Sequence, residues 1–431
     1  MSRYPSVACV LVAALALLAP HGELSAQPVT TDTLTVSLPE ALSMSVGAHP
    51  ELAARSWDPV AARGDLRQAS VFAFNPELRL ESRSPSDGLG ERYEAELGLE
   101  IEIAGQRGLR TRAAQEGLMS ADSRFRDVGR LVLADVARSY HRLVAAEQRV
   151  ALLTAIESTN ERLAAAVRTQ LAEGEVSVLE ANLVAVEAAR ARARAIQERS
   201  LRTTAVLELA RMLGVDAERE LRTVGPGPAS DGDGAPASLG DALRRARGNR
   251  PDVRAREREV ERARQEERLA RRERLPNLRL AALATREDPL LDPRFGVAFG
   301  LELPMFNRSQ GLTQRRIAEV STARAELDAT ETTVRLEVED AHRRYETANR
   351  EVELLERELL GPSRENQRLL DIAYREGKID LASLLLVRNQ LLDAELAYWD
   401  AWERRERALT DLRSATGAIL DGVTFTPGMD R

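Results

Sequence analysis

Between residues 94 and 103 the chain alternates without interruption. Ala95, Leu97, Leu99, Ile101 and Ile103 fall on one parity, and Glu94, Glu96, Gly98, Glu100 and Glu102 on the other. A period of two predicts a strand with one apolar and one wet face. Ten residues is also the length of a tilted strand that crosses a bilayer, about 9–11 residues. A partner strand is expected at about 77–84, joined to it through the turn-rich segment Pro85–Gly90. The pattern returns at 277–285 and 295–303, where Phe295, Val297, Phe299, Leu301 and Leu303 share a face. Five of the seven phenylalanines (72, 74, 295, 299 and 306) lie in or beside these hairpins, and membrane barrels carry aromatic residues near their interfaces. Four strands cannot close a barrel alone, whereas three subunits would supply twelve. A small soluble sheet among helices is the rival reading. It would leave the glutamate ladder facing something other than water, or an open edge.

Elsewhere the period changes to that of a helix. Residues 107–173 and 310–376 contain no proline until Pro362, and each stretch, if continuous, would extend ~100 Å. Val338, Ala341, Tyr345, Ala348, Val352, Leu355 and Leu359 form a heptad seam. Val136, Tyr140, Leu143, Val150 and Leu153 form a less regular one. Gly361-Pro362 is expected to break or kink the second long helix. Gly174 and Gly377 mark turns, after which helices at about 176–213 and 379–416 run back antiparallel. Upstream, Ser37 and Ser238 are N-cap candidates with an acid three residues on, and Pro50 and Pro251 start further helices. Helix 251–274 is almost all Arg and Glu, read as a solvated face laced by i,i+4 ion pairs.

These elements occur twice. Ser37-Leu38-Pro39-Glu40-Ala41-Leu42 returns as Ser238-Leu239-Gly240-Asp241-Ala242-Leu243, and Pro76-Glu77-Leu78-Arg79-Leu80 as Pro276-Asn277-Leu278-Arg279-Leu280. Gly108 to Gly174 spans 66 positions, as does Gly311 to Gly377; Gly174 to Gly214 spans 40, as does Gly377 to Gly417. The expected division is a first repeat at 27–224, a linker at 225–237, a second repeat at 238–417 and a tail at 418–431. The fold class is therefore mostly α with a transmembrane β-barrel. It is internally duplicated, with long antiparallel helical hairpins, four strands per chain and twelve in a trimer.

Composition narrows the partners. Charged residues make up 30% and aromatics 4%, the net charge is −7, and Lys378 is the single lysine. No basic footprint argues for nucleic acid. Residues 1–26, with Arg3, the apolar stretch Val7–Leu18 and Leu24-Ser25-Ala26, read as a secretory signal cleaved before Gln27. Cys9, the only cysteine, lies within it, so the exported chain has no disulfide, no thiol-ligated metal and no cysteine for lipid attachment. No later segment reads as a membrane helix, so any crossing must be by β-strands. His342 and Glu346 stand i,i+4 on a helix; one such pair supplies two ligands only and is read as a core or surface histidine. No phosphate loop, nucleophile elbow or Cys/His set is present. No enzyme, cofactor or metal centre is expected.

The Ser-Leu-x-x-Ala-Leu start, the following (His/Arg)-Pro-(Glu/Asp), the Pro-x-Leu-x-Leu strands and the glycine at each hairpin tip together resemble the TolC-like outer-membrane efflux channel family. Ile101-Glu102-Ile103-Ala104-Gly105-Gln106-Arg107-Gly108 and Leu303-Pro304-Met305-Phe306-Asn307-Arg308 are similar to its heavy-metal branch, which serves cobalt-zinc-cadmium or copper-silver cation efflux. The resemblance covers about residues 37 to 420. It implies a homotrimer with a twelve-stranded barrel in outer-membrane lipid and an α-helical tunnel across the periplasm. It also implies a periplasmic adaptor (membrane fusion) protein at the tips, and through it an inner-membrane pump of the resistance-nodulation-division type.

On that reading the protein is a passive exit duct. Glu94, Glu96, Glu100, Glu102 and Glu302 would face the barrel lumen, where rings of carboxylates favour cations. Glu173, Gly174, Val176, Glu376, Gly377 and Ile379 would meet the adaptor. Family members narrow the periplasmic end with acids on the helix after the tip glycine. Here the corresponding positions after Gly377 are Ser383 and Leu386, so an acidic aperture would rest on Glu180 and Asp380, and Leu386 would make an apolar one. The competing functions are a channel for drug or protein export and a soluble periplasmic coiled-coil adaptor.

Overall fold

The computed structural model describes residues 33–83, 92–216, 219–225, 236, 238–286 and 292–427. The expected signal (1–26), the turn 85–90, nearly all of the linker 225–237 and the end of the tail lie outside the described residues.

Chain order is β1 (Leu34–Val36), α1 (Leu38–Ala48), α2 (Pro50–Arg55), α3 (Asp58–Ser70), β2 (Glu77–Arg83), β3 (Arg92–Ile101), α4 (Gln106–Glu173), α5 (Val178–Leu213) and β4 (Leu221–Thr223). The second half gives α6 (Leu239–Asn249), α7 (Pro251–Arg272), β5 (Leu278–Arg286), β6 (Arg294–Leu301), α8 (Gln310–Leu355), α9 (Gly361–Arg375) and α10 (Leu381–Thr416).

Residues β-branched, aromatic or alternating in polarity favour a pleated surface, and the four longer strands form one antiparallel sheet in the order β2-β3-β5-β6. The middle pair, β3 with β5, joins the two repeats. Ile101, Leu278 and Leu301 lie in register as one rung of three strands. The flanking strands β2 and β6 each keep an open edge within the single chain. All four connections to the helices leave from the same end of the sheet, because antiparallel strands alternate direction.

Below the sheet, α4 is one uninterrupted helix of 68 residues, ~100 Å long. It packs against α5, α7 and α10, with α8 completing a second layer against α7 and α10. The long helices cohere through small and branched residues at heptad spacing. Val136, Leu143, Val338 and Val352 are wholly buried, and Tyr140, Ala341 and Ala348 nearly so.

Gly361-Pro362 does not break the second long helix. A π-helical turn, Glu356–Leu360, precedes it and the chain continues as α9. A wider turn accommodates a proline that has no N–H to give and whose ring crowds the preceding turn.

Two features have no periodic signal in the sequence. β1 and β4, three residues each, pair in parallel with Leu34 opposite Leu221. They cap a core of Val36, Leu52, Phe125, Leu209, Leu213 and Trp402 midway along the bundle. Two arginines, Arg149 partly buried and Arg250 buried, then pin the helices. Arg149 of α4 bonds Glu198 of α5 at 2.7 Å and Asp400 of α10 at 2.8 Å. Arg250, just before α7, bonds Asp252 at 2.6 Å and Glu337 of α8 at 2.8 Å. Buried guanidinium groups need such multiple carboxylate partners to offset desolvation.

Candidate functional site

Two regions combine exposure with patterned chemistry: the sheet and the hairpin tips. Successive strand residues point to opposite faces and directly paired residues share one. Leu78, Leu80, Leu97, Leu99, Phe295, Val297, Phe299 and Leu301 therefore line one face. That face is bare: Val297 is 74% exposed and Phe295 81%. A continuous apolar surface of this kind marks a lipid or protein contact.

The opposite face is charged. It holds Glu77, Glu81, Glu94, Glu96 and Glu100, and also Arg79, Arg83, Arg92, Arg279 and Arg294. Five carboxylates thus share this face with five guanidinium groups among the described strand residues. Arg79 reaches Glu77 at 3.2 Å and Glu96 at 3.6 Å. Arg279 approaches Glu77 at 3.9 Å and Glu96 at 4.0 Å. Arg83 bonds Glu81 at 2.9 Å, and the Asn277 amide donates to Glu100 at 2.7 Å. The arginines were legible as residues of the strands. Their pairing was not, because it depends on the β3–β5 register.

Glu102 and Glu302, expected along the same face, lie beyond the strand ends. The ladder stops at the rung of Ile101, Leu278 and Leu301, and the chain turns toward the helices. Glu102 is held by Arg110 of α4 at 2.7 Å, and Glu302 lies exposed in the link to α8.

At the far end of the bundle both hairpins turn the same way. Gly174 has φ 79° and Gly377 φ 69°. Each is followed by an amide that reaches back across the turn, Glu175 N–H to Gln170 C=O at 2.8 Å and Lys378 N–H to Ala373 C=O at 2.9 Å. This is a Schellman closure, in which glycine tolerates the left-handed conformation. Glu173, Gly174, Glu376 and Gly377 are exposed, and Lys378 bonds Glu376 at 2.6 Å. Val176 and Ile379, expected among the adaptor-contacting tip residues, are partly buried. They pack on a shared apolar cluster of Val167, Val184, Leu381, Leu384 and Leu385 that joins the two hairpins. The most exposed apolar residues there are Val178 and Leu179, 64% and 78% exposed. Their signal in the sequence is two apolar residues in a first helical turn.

The acids considered for an aperture are engaged locally. Glu180 completes a capping box: it accepts from the Ser177 N–H at 2.8 Å while the Ser177 hydroxyl accepts from the Glu180 N–H at 3.2 Å. The Ser177 backbone bond and hydroxyl together hold the Glu180 carboxyl below its ordinary range. Asp380 caps α10 by accepting from the Ser383 N–H at 2.9 Å, and bonds from the Ser383 side chain and backbone lower its carboxyl likewise. Leu386 points away from the buried cluster and is 60% exposed.

Elsewhere His342 is buried with its Nδ1 3.8 Å from Glu346. Among the described residues no group of three or more His, Cys, Asp or Glu side chains is placed to hold a metal. Nor is any described helix long and apolar enough to cross a membrane.

The chain is similar to the cobalt-zinc-cadmium resistance protein CzcC of Cupriavidus metallidurans, with 23% identity over 384 residues, 89% of this chain and 90% of that protein. Its fold matches a membrane protein from Pseudomonas aeruginosa with a TM-score of 0.73 at 22% identity, covering 88% of this chain and 90% of that one. It matches CusC, a protein of transmembrane channel formation, with a TM-score of 0.73 at 18% identity, covering 93% and 99%. The profile of the outer membrane efflux protein family matches residues 41–215 and 242–418, one stretch in each repeat. The chain belongs to the outer membrane efflux protein family.

Proposed function

We propose that this protein is the trimeric outer-membrane exit duct of a tripartite efflux pump, and that its cargo is divalent metal cations. The observation that carries the proposal is the four-stranded sheet. It has one bare apolar face, one charged face and two open edges, and it stands at one end of ~100 Å helical hairpins. Open edges in an apolar sheet are a liability unless another chain covers them. Three copies pairing β6 of one with β2 of the next would abolish every edge, with lipid outside and water inside. The helices below would then form a tunnel of periplasmic length.

The duct performs no chemistry and draws no energy of its own; a pump in the inner membrane and a periplasmic adaptor supply both drive and cargo. The adaptor would dock at the exposed tip residues Glu173, Gly174, Glu376 and Gly377, joined by Val178 and Leu179. With Glu180 and Asp380 engaged in caps, the resting constriction falls to Leu386 from three chains, closing by dewetting. The metal assignment rests on the similarity to CzcC.

Deleting the gene in its native host tests this. Cobalt, zinc or cadmium should accumulate in the cells and fall again when the gene is restored. Unchanged metal content with raised sensitivity to dyes or drugs would contradict the cargo. Unchanged handling of both would contradict the efflux role.

A further inference from the structure

The charged face of the sheet suggests a property that a carboxylate ladder alone would not have. We propose that Arg79 and Arg279 set the ion preference of the barrel, by cancelling the field of the glutamates between them. The proposal rests on the closed-barrel reading given above.

The geometry is a quartet spread over three strands. Glu77 and Arg79 lie on β2, Glu96 on β3 and Arg279 on β5. Both arginines stand within 4.0 Å of Glu96 and within 3.9 Å of Glu77. Arg79 is directly opposite Glu96 in the β2–β3 register, and Arg279 directly opposite Glu100 in the β3–β5 register. The duplicated sequence brings this about: Arg79 and Arg279 occupy matching places in the two Pro-x-Leu-Arg-Leu segments. Pairing β3 with both β2 and β5 sets one arginine on each side of the glutamate strand.

Ion pairs this exposed contribute little to stability. Their weight lies in the field. A lumen lined by one sign of charge concentrates counter-ions, and rings of carboxylates select cations. Carboxylate oxygens are also the ligands that hold divalent cations, so an uncancelled ladder repeated in three chains would retain the cargo a duct must release. With five of each sign on the charged face of the strands, the wall offers neither a cation filter nor a cation trap.

The test uses the full chain, purified as the trimer and reconstituted in planar bilayers. The reversal potential under a KCl gradient gives the permeability ratio of potassium to chloride. R79Q/R279Q should raise that ratio several-fold over wild type, E96Q should lower it, and R79K/R279K should restore the wild-type value. Cobalt binding to the detergent-solubilised trimer, followed by titration calorimetry, reads the same charge from the outer mouth whatever the state of the periplasmic end. R79Q/R279Q should gain binding that wild type lacks. A trimer, intact on unheated gels, in which R79Q/R279Q changes neither the ratio nor cobalt binding overturns the role of the arginines. Failure of wild type to form any trimer on unheated gels overturns the barrel itself, and this inference with it.

Discussion

Gly214 lies so close to Ala48 that a Cβ on the glycine would stand 2.8 Å from the alanine Cβ. Gly417 stands against Asn249 in the same way, at 3.0 Å, and both glycines end a returning helix in the left-handed region, at φ 65° and 78°. The duplication has thus preserved a contact as well as a fold. In each repeat the end of the short first helix is pressed onto the glycine that stops the last one. Gly214→Ala should be strongly destabilising, since the left-handed backbone alone costs an alanine about 1–2 kcal/mol and the clash adds to it. Gly174→Ala, at φ 79° with nothing within 4 Å, should show the backbone part only. Thermal unfolding of the two variants gives the comparison, and equal losses would remove the Ala48 contact from the argument.

The start of the second long helix carries a strained residue. Ser309 has φ 52° and is the only non-glycine among the described residues with positive φ. Gly105 serves at the corresponding start of α4, at φ 76°. Ser309→Gly should therefore stabilise the chain by about 1 kcal/mol, visible as a raised unfolding midpoint. A lowered midpoint would mean that the serine makes a compensating contact.

His141 of α4 is buried against Tyr140 and Trp402, with Glu406 3.7 Å from its Nε2. Burial first, with Arg413 and Arg405 adding to it against Glu406, depresses its pKa from 6.5 to about 4. A base with a depressed folded pKa is neutral in the fold and takes up a proton on unfolding. Its contribution is complete above pH 6.5 and is lost as pH falls toward 4. Between pH 7 and pH 5 wild type should lose roughly 2 kcal/mol more than His141→Gln. Parallel pH profiles of the two proteins would place the titration elsewhere.

Gly377→Pro cannot adopt φ 69° and removes the amide that bonds the Tyr374 carbonyl at 3.0 Å. The sheet lies at the other end of the bundle, so trimer formation should survive while efflux is abolished. Leu386→Ser should act oppositely, raising resting conductance by wetting the constriction. Normal efflux in the first variant, or an unchanged resting current in the second, would take the tip or the gate out of the mechanism.

The strands and hairpins were legible because their signals are periodic: alternation from Glu94 to Ile103, heptads around Val338, and a glycine at each reversal. What escaped has no period. Leu34–Val36 and Leu221–Thr223 are three residues each and pair across the whole first repeat. Glu180 carries a readable signature, Ser177-x-x-Glu180, and the structure adds that the cap engages its carboxylate. Val176 and Ile379 lie at the tips by position, and the packing of one hairpin on the other, which the sequence does not show, partly buries them. The arginine pairing around Glu96 depends on which strand neighbours β3, which only the assembled sheet determines.

The central claim is a closed trimeric barrel. Membrane fractionation of the full-length protein, followed by gel mobility with and without heating, tests it most directly. A heat-sensitive species near three times the monomer mass in the outer-membrane fraction is the expected result. A soluble monomer in the periplasm would contradict it and return the chain to the class of coiled-coil adaptors.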